Sequence, residues 1–344
     1  MAQINEYLIR SVFDEMARYK PSLSKMAVTD DDEVLPDYRI LGDLIIKNFP
    51  WPVGVELRRL FSGIMRQLDR MRLDQIFKTI ERSMQFLSFV MLSQAPEEIT
   101  QGKLIIPESF RNEFKNRFLV LSLGNFTWMI RAIGTMFRDQ KIEWFMPEMS
   151  DCFDSKFYGA LDFWVPERNE IGHYQINLTQ EEIEKRCVEY EEKLMFILQR
   201  ISFLAKYRLV SVKDIKVIKS KIHKAAFHHV FDLLNSSDSD FKANEFDEAR
   251  FTESSSVLLM KNIKVLDEYL NLSPLIIDTS GEVLDSKEKF EIKKDIFMYS
   301  KFRNDQLMYL GTEVTEKIDL RSLKNYETLL EEFRYLLSVL GGEA

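Results

Sequence analysis

The chain has 344 residues, of which 45% are hydrophobic, and its formal net charge is −8 with a pI near 5.3. This length and apolar content suffice for two or three compact units with ordinary cores. The acidic balance argues against a protein that coats nucleic acid through bulk electrostatics, so any RNA contact requires a local basic patch.

The cysteine content and the apolar runs bear on the cellular compartment. Only Cys152 and Cys187 occur, without metal-type spacing, which fits a reducing compartment and implies no disulfide framework. The first residues lack a basic-then-apolar signal, and no apolar run approaches a membrane span. We therefore expect a cytoplasmic protein with no membrane partner.

Residues 1–52 are predicted to form an N-terminal helical extension. Residues 4–19 place apolar side chains on one stripe at helical spacing, and Pro21 follows. Two prolines and a glycine within residues 48–54 predict a rigid corner rather than a helix. This corner leads into the main domain.

Residues 53–207 are predicted to form a bundle of long helices. The helical pattern that starts at residue 55 breaks once near Arg70. In the next pattern, from residue 109, Ser109 is the expected N-cap. In the third pattern, from residue 155, Pro166 is expected to kink or restart the helix. Thr179 begins a capping box ahead of the fourth. Residues 96–107 read as a connector, and short connections favour a bundle. The four helical patterns span residues 55–94, 109–140, 155–171 and 179–206.

The polar side of the first pattern is rich in basic residues. One interpretation is a solvated face with pairs four residues apart. The other is a surface that follows phosphates, with Arg58, Arg59 and Arg66 as weak RNA-binding candidates. The basic residues are Arg58, Arg59, Arg66, Arg70, Arg72, Lys78 and Arg82.

Residues 208–344 are predicted to form a smaller α+β domain. Residues 210–234 and 257–275 have the β-branched, alternating pattern of strands, and residues 235–256 are Ser- and Asp-rich, as in a loop. Residues 295–310 predict a hairpin that turns near Arg303, and residues 320–340 predict a closing helix. No chemistry is assigned to this domain.

The strongest functional signal lies near the end of the third helical pattern. It is an Arg-Asn pair followed by a histidine, at Arg168, Asn169 and His173. Arg-Asn also occurs at Arg111 and Arg303, but neither has a histidine downstream at that range. The pattern and its place between two long helices resemble the active-site motif of the HEPN superfamily, over roughly residues 55–206.

The resemblance implies a fold, an activity and a partner. It implies a mainly α protein with a HEPN-like helical bundle, acting as a metal-independent endoribonuclease without a cofactor. It also implies a homodimer through the motif helices and a role as a toxin or antiviral defence effector, kept inactive until a regulatory protein partner or an infection signal releases it. The α+β domain is then a regulatory or partner-binding part.

The side chains suit this chemistry when two copies meet. Residues five apart on a helix lie about 140° apart around the axis and about 7.5 Å apart along it. In one chain, Arg168 and His173 therefore lie on different faces of the helix unless Pro166 and Gly172 reorient them. Two copies across a two-fold axis place two of each in one cleft. Arg168 then binds the phosphodiester, His173 moves protons and Asn169 orients the arginine or the substrate. The RNA 2′-hydroxyl is the nucleophile, so DNA is not cut.

One departure and one alternative remain open. The family's toxin branch carries a tyrosine two residues after the histidine, whereas here Tyr174 follows directly and position 175 is glutamine, so that regulatory tyrosine is not carried over. The alternative is a non-catalytic helical module that dimerises and binds a partner protein or a nucleotide. Arg168 and His173 are then interface residues. Without any function at the motif, His173 is a capping or surface residue and Arg168 is held by salt bridges with Glu167 and Glu170.

Two patterns that contain histidine resemble metal sites, but both are too weak to predict one, so no metal is expected. Glu170 and His173 form a Glu-x-x-His pair of the di-iron type, but the second copy that such bundles need is absent. His228 and His229 near Asp232 form a weak pair, because strand alternation directs the two rings to opposite faces.

Overall fold

The computed structural model describes residues 4–27, 37–173, 178–234, 242–248, 252–253, 256–263, 268–279, 295–313, 321, 323 and 325–342. The side chains of residues 171–173 and 242–248 lie outside that description, as do Tyr174 and Gln175. In the described ranges the chain is mainly helical, with a smaller α+β part towards the C-terminus. This confirms the coarse fold class predicted from the sequence.

Two compact units interleave along the chain. The first comprises Met1–Phe86, Met146–Tyr207 and Asn235–Ser237, and the second comprises Leu87–Phe145, Arg208–Leu234 and Asp238–Ala344. The units change between Tyr207 and Arg208, the position of one predicted boundary, but not at residue 53, and Leu87–Phe145 of the predicted bundle lies in the second unit. The N-terminal segment belongs to the same unit as the motif helix, because its apolar stripe is buried within that unit rather than exposed on an extension.

Helices build the first unit. Helix α4 starts at Trp51 with Pro52 in its first turn, where the missing N–H is not needed, so the predicted corner shrinks to Phe49 and Pro50. The predicted break near Arg70 is a 3₁₀ turn at Gly63–Arg66, after which α5 begins. The helices are α1 Glu6–Tyr19, α2 Ser22–Met26, α3 Tyr38–Asn48, α4 Trp51–Leu60, the first part of α5 Arg70–Thr100, α8 Met149–Cys152, α9 Ser155–His173 and α10 Gln180–Arg200.

Two prolines stand inside helices. Helix α9 runs through Pro166, so the predicted restart there is wrong. Helix α5 runs through Pro96 to Thr100, so the first residues of the predicted connector are helical. A proline removes one backbone hydrogen bond, and burial of the preceding turn offsets that loss. Leu161 and Trp164 are buried before Pro166, and Ala95 is buried before Pro96.

The start of α10 confirms the predicted capping box. The backbone N–H of Glu182 donates to Thr179 Oγ1 over 3.3 Å, and the backbone N–H of Thr179 donates to Glu182 Oε2 over 2.7 Å. Two backbone donors at the helix start are thereby satisfied.

In the second unit, the predicted helix over residues 109–140 is two helices, α6 Glu108–Phe118 and α7 Leu123–Asp139. The backbone between them pairs with a strand, because Leu121 N donates to Ser300 O and Phe302 N donates to Leu119 O. Ser122 then caps α7. Ser109 lies inside α6, so its predicted capping role is wrong.

Two antiparallel sheets follow. The first has the strand order β3-β2-β1-β4-β5 and the second has β6-β7-β8. The predicted hairpin is confirmed as β7 and β8, and Asn304 and Asp305 turn it with positive φ angles of 51° and 60°. The strands are β1 Arg208–Ile218, β2 Ala226–Leu233, β3 Lys242–Glu248, β4 Val257–Met260, β5 Tyr269–Asn271, β6 Ile276–Asp278, β7 Ile296–Arg303 and β8 Gln306–Gly311.

Strand β3 corrects part of the predicted loop over residues 235–256, since it pairs with β2 along its length. Residues 235–241, 249–251 and 254–255 of that loop lie outside the described residues. The predicted C-terminal helix is α11, Tyr326–Gly341. Across the described ranges, no helix combines the length and the apolarity needed to cross a membrane.

Candidate functional site

An aromatic cluster fixes the motif helix α9 within the first unit. Trp164 is fully buried and meets Phe77 of α5 and Tyr190 of α10 edge to face, with ring centroids 5.7 Å away in both cases. Such pairs add about 0.5–1.5 kcal/mol each beyond the area they bury. The next turn of α9 carries Arg168 and Asn169, whose positions are therefore set by the packing of Trp164.

Arg168 lies at the edge of the unit with one long ionic contact. Its Nη2 atom is 3.7 Å from Oε2 of Glu81 on α5, and the two side chains are 39% and 32% exposed. An exposed pair beyond hydrogen-bond distance contributes about 0–1 kcal/mol. The guanidinium is therefore available to an anionic ligand at little cost. Asn169 beside it is exposed.

The two glutamates that flank the motif bind a different arginine. Arg186 of α10 donates to Glu170 over 2.9 Å and lies 3.7 Å from Glu167. The pair with Glu170 raises the pKa of Arg186. The Tyr190 hydroxyl donates to Glu167, and burial together with that bond raises the pKa of Tyr190. These contacts join α9 to α10.

Sequence reasoning missed these partners. It considered Glu167 and Glu170 as partners of Arg168, whereas the structure assigns them to Arg186 and gives Arg168 the distant Glu81. No local spacing signals a pair that is formed across helices.

His173 is the last residue of α9, and its side chain lies outside the described residues. Because the helix is continuous from Arg168 to its end, the two positions lie about 140° apart around the axis and about 7.5 Å along it. Pro166 precedes both positions in this helix, so it does not change the spacing between them. A single copy of α9 therefore directs the two positions to different faces.

The basic residues of α4 and α5 do not form one surface. Arg59 donates to the buried Glu56 over 3.0 Å, and Arg66 donates to the Tyr38 hydroxyl over 2.6 Å. Arg58 is half-buried. Arg72 is fully buried, so the interpretation of a continuous phosphate-binding face that includes it is wrong. The pair of Arg70 with Asp74 at 3.0 Å is of the solvated type expected for helix surfaces.

Arg72 instead ties three elements together. Its Nη2 atom donates to Asn5 Oδ1 over 2.8 Å and to Glu191, and Asn5 N donates to Glu191 Oε1 over 3.1 Å. The network joins the start of α1 to α5 and α10. A buried charge is stable only when it is paired and hydrogen-bonded in this way.

In the described part of the chain, no three His, Cys, Asp or Glu side chains converge as a metal site. The two histidine patterns considered as metal sites are Glu170 with His173, whose side chain lies outside that part, and His228 with His229. His229 is buried, with Nδ1 3.0 Å from Phe227 O, and Thr252 N donates to its Nε2 over 3.4 Å. Glu170, the carboxylate of the Glu-x-x-His pair, is bound to Arg186.

No family model, curated protein or solved structure matches this chain. The functional argument rests on what the end of α9 can do. It presents a half-exposed guanidinium at Arg168 and an exposed amide at Asn169, one turn before the terminal His173.

Proposed function

We propose that the chain is a metal-independent endoribonuclease of HEPN type that acts as a toxin or antiviral defence effector. The observation that supports this most is the state of Arg168. The packing of α9 fixes its backbone, its side chain is 39% exposed, and its ionic contact among the described residues is the 3.7 Å one with Glu81. An arginine held in this way suits a phosphodiester, because its planar fork matches two phosphate oxygens.

The reaction follows from the two side chains and the RNA. His173 accepts the proton of a ribose 2′-hydroxyl, and the 2′-oxygen attacks the adjacent phosphorus. Arg168 neutralises the charge that develops on the phosphoryl oxygens. The bond to the 5′-oxygen breaks and a histidine returns a proton to it. The products are a 2′,3′-cyclic phosphate and a 5′-hydroxyl.

The geometry of α9 makes this a proposal for a dimer. One continuous helix directs positions 168 and 173 to different faces, so the productive pair combines Arg168 of one copy with His173 of the other. A two-fold axis then forms two such pairs in one cleft. Asn169, exposed next to Arg168, is placed to orient the guanidinium or the substrate.

A specific observation favours the alternative of a non-catalytic module that dimerises and binds a partner protein or a nucleotide. Glu81 lies 3.7 Å from the guanidinium of Arg168, and Glu167 and Glu170 flank Arg168 along the chain, so nearby carboxylates lower the positive potential that a polyanion needs. In this second function, Arg168 and His173 are interface residues.

Cleavage in the presence of EDTA separates the two functions. The purified chain is incubated with end-labelled RNA and with DNA of the same sequence. We expect RNA cleavage that the His173→Ala variant loses by about 10²- to 10⁴-fold. The matched control is His223→Ala, because His223 is an exposed histidine of the other unit. Wild-type chain that cuts no RNA under these conditions contradicts the nuclease and leaves the binding module.

A further inference from the structure

The outer end of the β1–β2 hairpin differs from the rest of the sheet. Strand β1 is buried from Leu209 to Val212 and exposed from Lys216 onwards. The last paired residues are Ile218 and Ala226, and residues 219–225 connect the strands. The first half of β1 and the inner part of β2 pack in the core, and the end of the hairpin is exposed.

This exposed end is basic in an otherwise acidic chain. No acidic residue stands between Asp214 and Asp232, although the chain carries a net charge of −8. Lys216 pairs with Asp214 at 3.5 Å, and both are exposed. The four lysines of this stretch, all exposed, are Lys216, Lys219, Lys221 and Lys224.

The neighbouring strand β3 carries acidic residues, but its register places them alongside the body of β2. Glu245 pairs with Val230, and Glu248 pairs with Phe227. The pairing ends there, before the connecting residues. Lys219, Lys221 and Lys224 therefore lie beyond the end of β3, whereas Lys216 is in register with His228 of β2 and, through it, with Asp247 of β3.

The same end exposes branched aliphatic side chains. Val217 is 65% exposed, Ile218 is 49% exposed, and Ile222 is 84% exposed, the highest value among the large hydrophobic side chains that the structure describes. Single exposed aliphatics are common on protein surfaces. Here strand alternation places Val217 and Ile218 on opposite faces of the hairpin, and Ile222 lies in its connection, so the tip is apolar and cationic on both sides.

We infer that this hairpin end docks on the surface of an anionic lipid bilayer. Lysines bind the acidic headgroups through their charge, and the aliphatic side chains of Val217, Ile218 and Ile222 enter the interface between headgroups and acyl chains. The lysine stems also cover apolar surface while their ammonium groups stay in water. The expectation of no membrane partner rested on the lack of a spanning segment, which does not bear on surface docking.

The side-chain types favour lipid over RNA as the partner. Residues 216–226 contain no arginine, which would hold phosphates in pairs of hydrogen bonds, and no Phe, Tyr or Trp, so the imidazole of His223 is their one ring for base stacking. Exposed valine and isoleucine add nothing to phosphate binding, whereas they contribute directly to insertion at a lipid interface. The inference is independent of the proposed ribonuclease activity.

Co-sedimentation of the full chain with vesicles tests the inference. The vesicles contain phosphatidylcholine alone or with about 30% phosphatidylserine, and the salt is near 0.1 M. We expect binding to the anionic vesicles only. The double variant Lys219→Gln/Lys221→Gln should weaken it by about fivefold for each lysine. Ile222→Ser should weaken it by about tenfold.

Matched controls lie elsewhere on the surface. Lys25→Gln/Lys185→Gln removes two exposed lysines, and Ile105→Ser removes an aliphatic side chain that is 74% exposed. Both control variants should bind the vesicles as the wild type does. Equal loss in hairpin and control variants would overturn the inference. The inference is also overturned if the wild-type chain does not bind anionic vesicles. One such outcome is that the chain binds a labelled RNA instead, with an anisotropy change that the hairpin lysine variants reduce.

Discussion

Replacing Arg72 with methionine should destabilise the first unit more than any surface charge change. Arg72 is fully buried and binds Asn5 and Glu191, whose side chain is 18% exposed. Methionine keeps the apolar length of the side chain but leaves the Glu191 carboxylate without its cation. Breaking a buried pair by removing one partner costs about 3–5 kcal/mol. Because Glu191 retains some contact with solvent, we expect about 2–4 kcal/mol.

Thermal unfolding followed by circular dichroism measures the effect. For a unit of this size each kcal/mol shifts Tm by about 2–4 °C, so a decrease of roughly 5–15 °C is expected. The matched control is Arg70→Met, which removes an exposed arginine two residues away, paired with Asp74. That variant should lose under about 1 kcal/mol.

A double variant tests whether the loss of stability in Arg72→Met comes from the unpaired carboxylate of Glu191. Arg72→Met combined with Glu191→Leu removes both charges, and replacing a buried ion pair by apolar residues is often close to neutral. The double variant should therefore be more stable than Arg72→Met alone. The account of the network is refuted if Arg72→Met has the same Tm as Arg70→Met. It is also refuted if the double variant has a lower Tm than Arg72→Met alone.

Three further predictions concern other parts of the chain. Thr179→Ala removes the cap of α10 and should cost about 1 kcal/mol, visible as a lower Tm, and an unchanged Tm would contradict the capping role. Burial raises the pKa of Cys152 to about 12 and that of Cys187 to about 11, so iodoacetamide at neutral pH should label both only in urea, and labelling of the native chain would show that they are accessible. Desolvation of its carboxyl, although the residue reaches solvent, and the nearby Glu253 raise the pKa of Glu97 to about 7 from 4.5, so the folded state holds this proton to higher pH than the unfolded chain does. The contribution of this proton to the stability of the folded state is thus complete below about pH 4.5 and is lost as the pH rises through 7. The variant Glu97→Gln should therefore show a smaller change of Tm between about pH 5 and pH 8 than the wild type. An equal change of Tm with pH in the two proteins would contradict this assignment.

Local signals predicted local structure well. The capping box at Thr179 and the hairpin turn at Asn304 and Asp305 are both as expected, because each depends on residues within one turn of the chain. The prolines show the limit of local rules. Pro166 and Pro96 lie inside helices, because the tertiary packing of the neighbouring buried residues offsets one lost hydrogen bond.

Features that depend on distant residues were not predictable. The break between α6 and α7 exists because residues 119–121 pair with β7, which lies far along the chain. The burial of Arg72 depends on Glu191, which is 119 positions away. Nothing in a helical pattern distinguishes a basic residue on a solvated face from one that enters a buried network.

The candidate site was found in part. The positions of Arg168 and Asn169 near the end of a helix follow from the helical pattern, but the partner of Arg168 does not, since Glu81 comes from another helix. The assignment of Glu167 and Glu170 to Arg186 depends on how α9 and α10 pack. Pairing of the arginine with a histidine in a second copy stays a prediction.

Complementation between two inactive variants tests that pairing most directly. Arg168→Ala and His173→Ala chains are each assayed for RNA cleavage in EDTA, and are then co-expressed so that mixed dimers form. A mixed dimer retains one intact pair, made of Arg168 from one copy and His173 from the other. We expect the mixture to recover about a quarter of the wild-type rate, since half of the dimers are mixed and each retains one of two pairs. A mixture as inactive as its components, beside an active wild type, would contradict pairing across the two-fold axis.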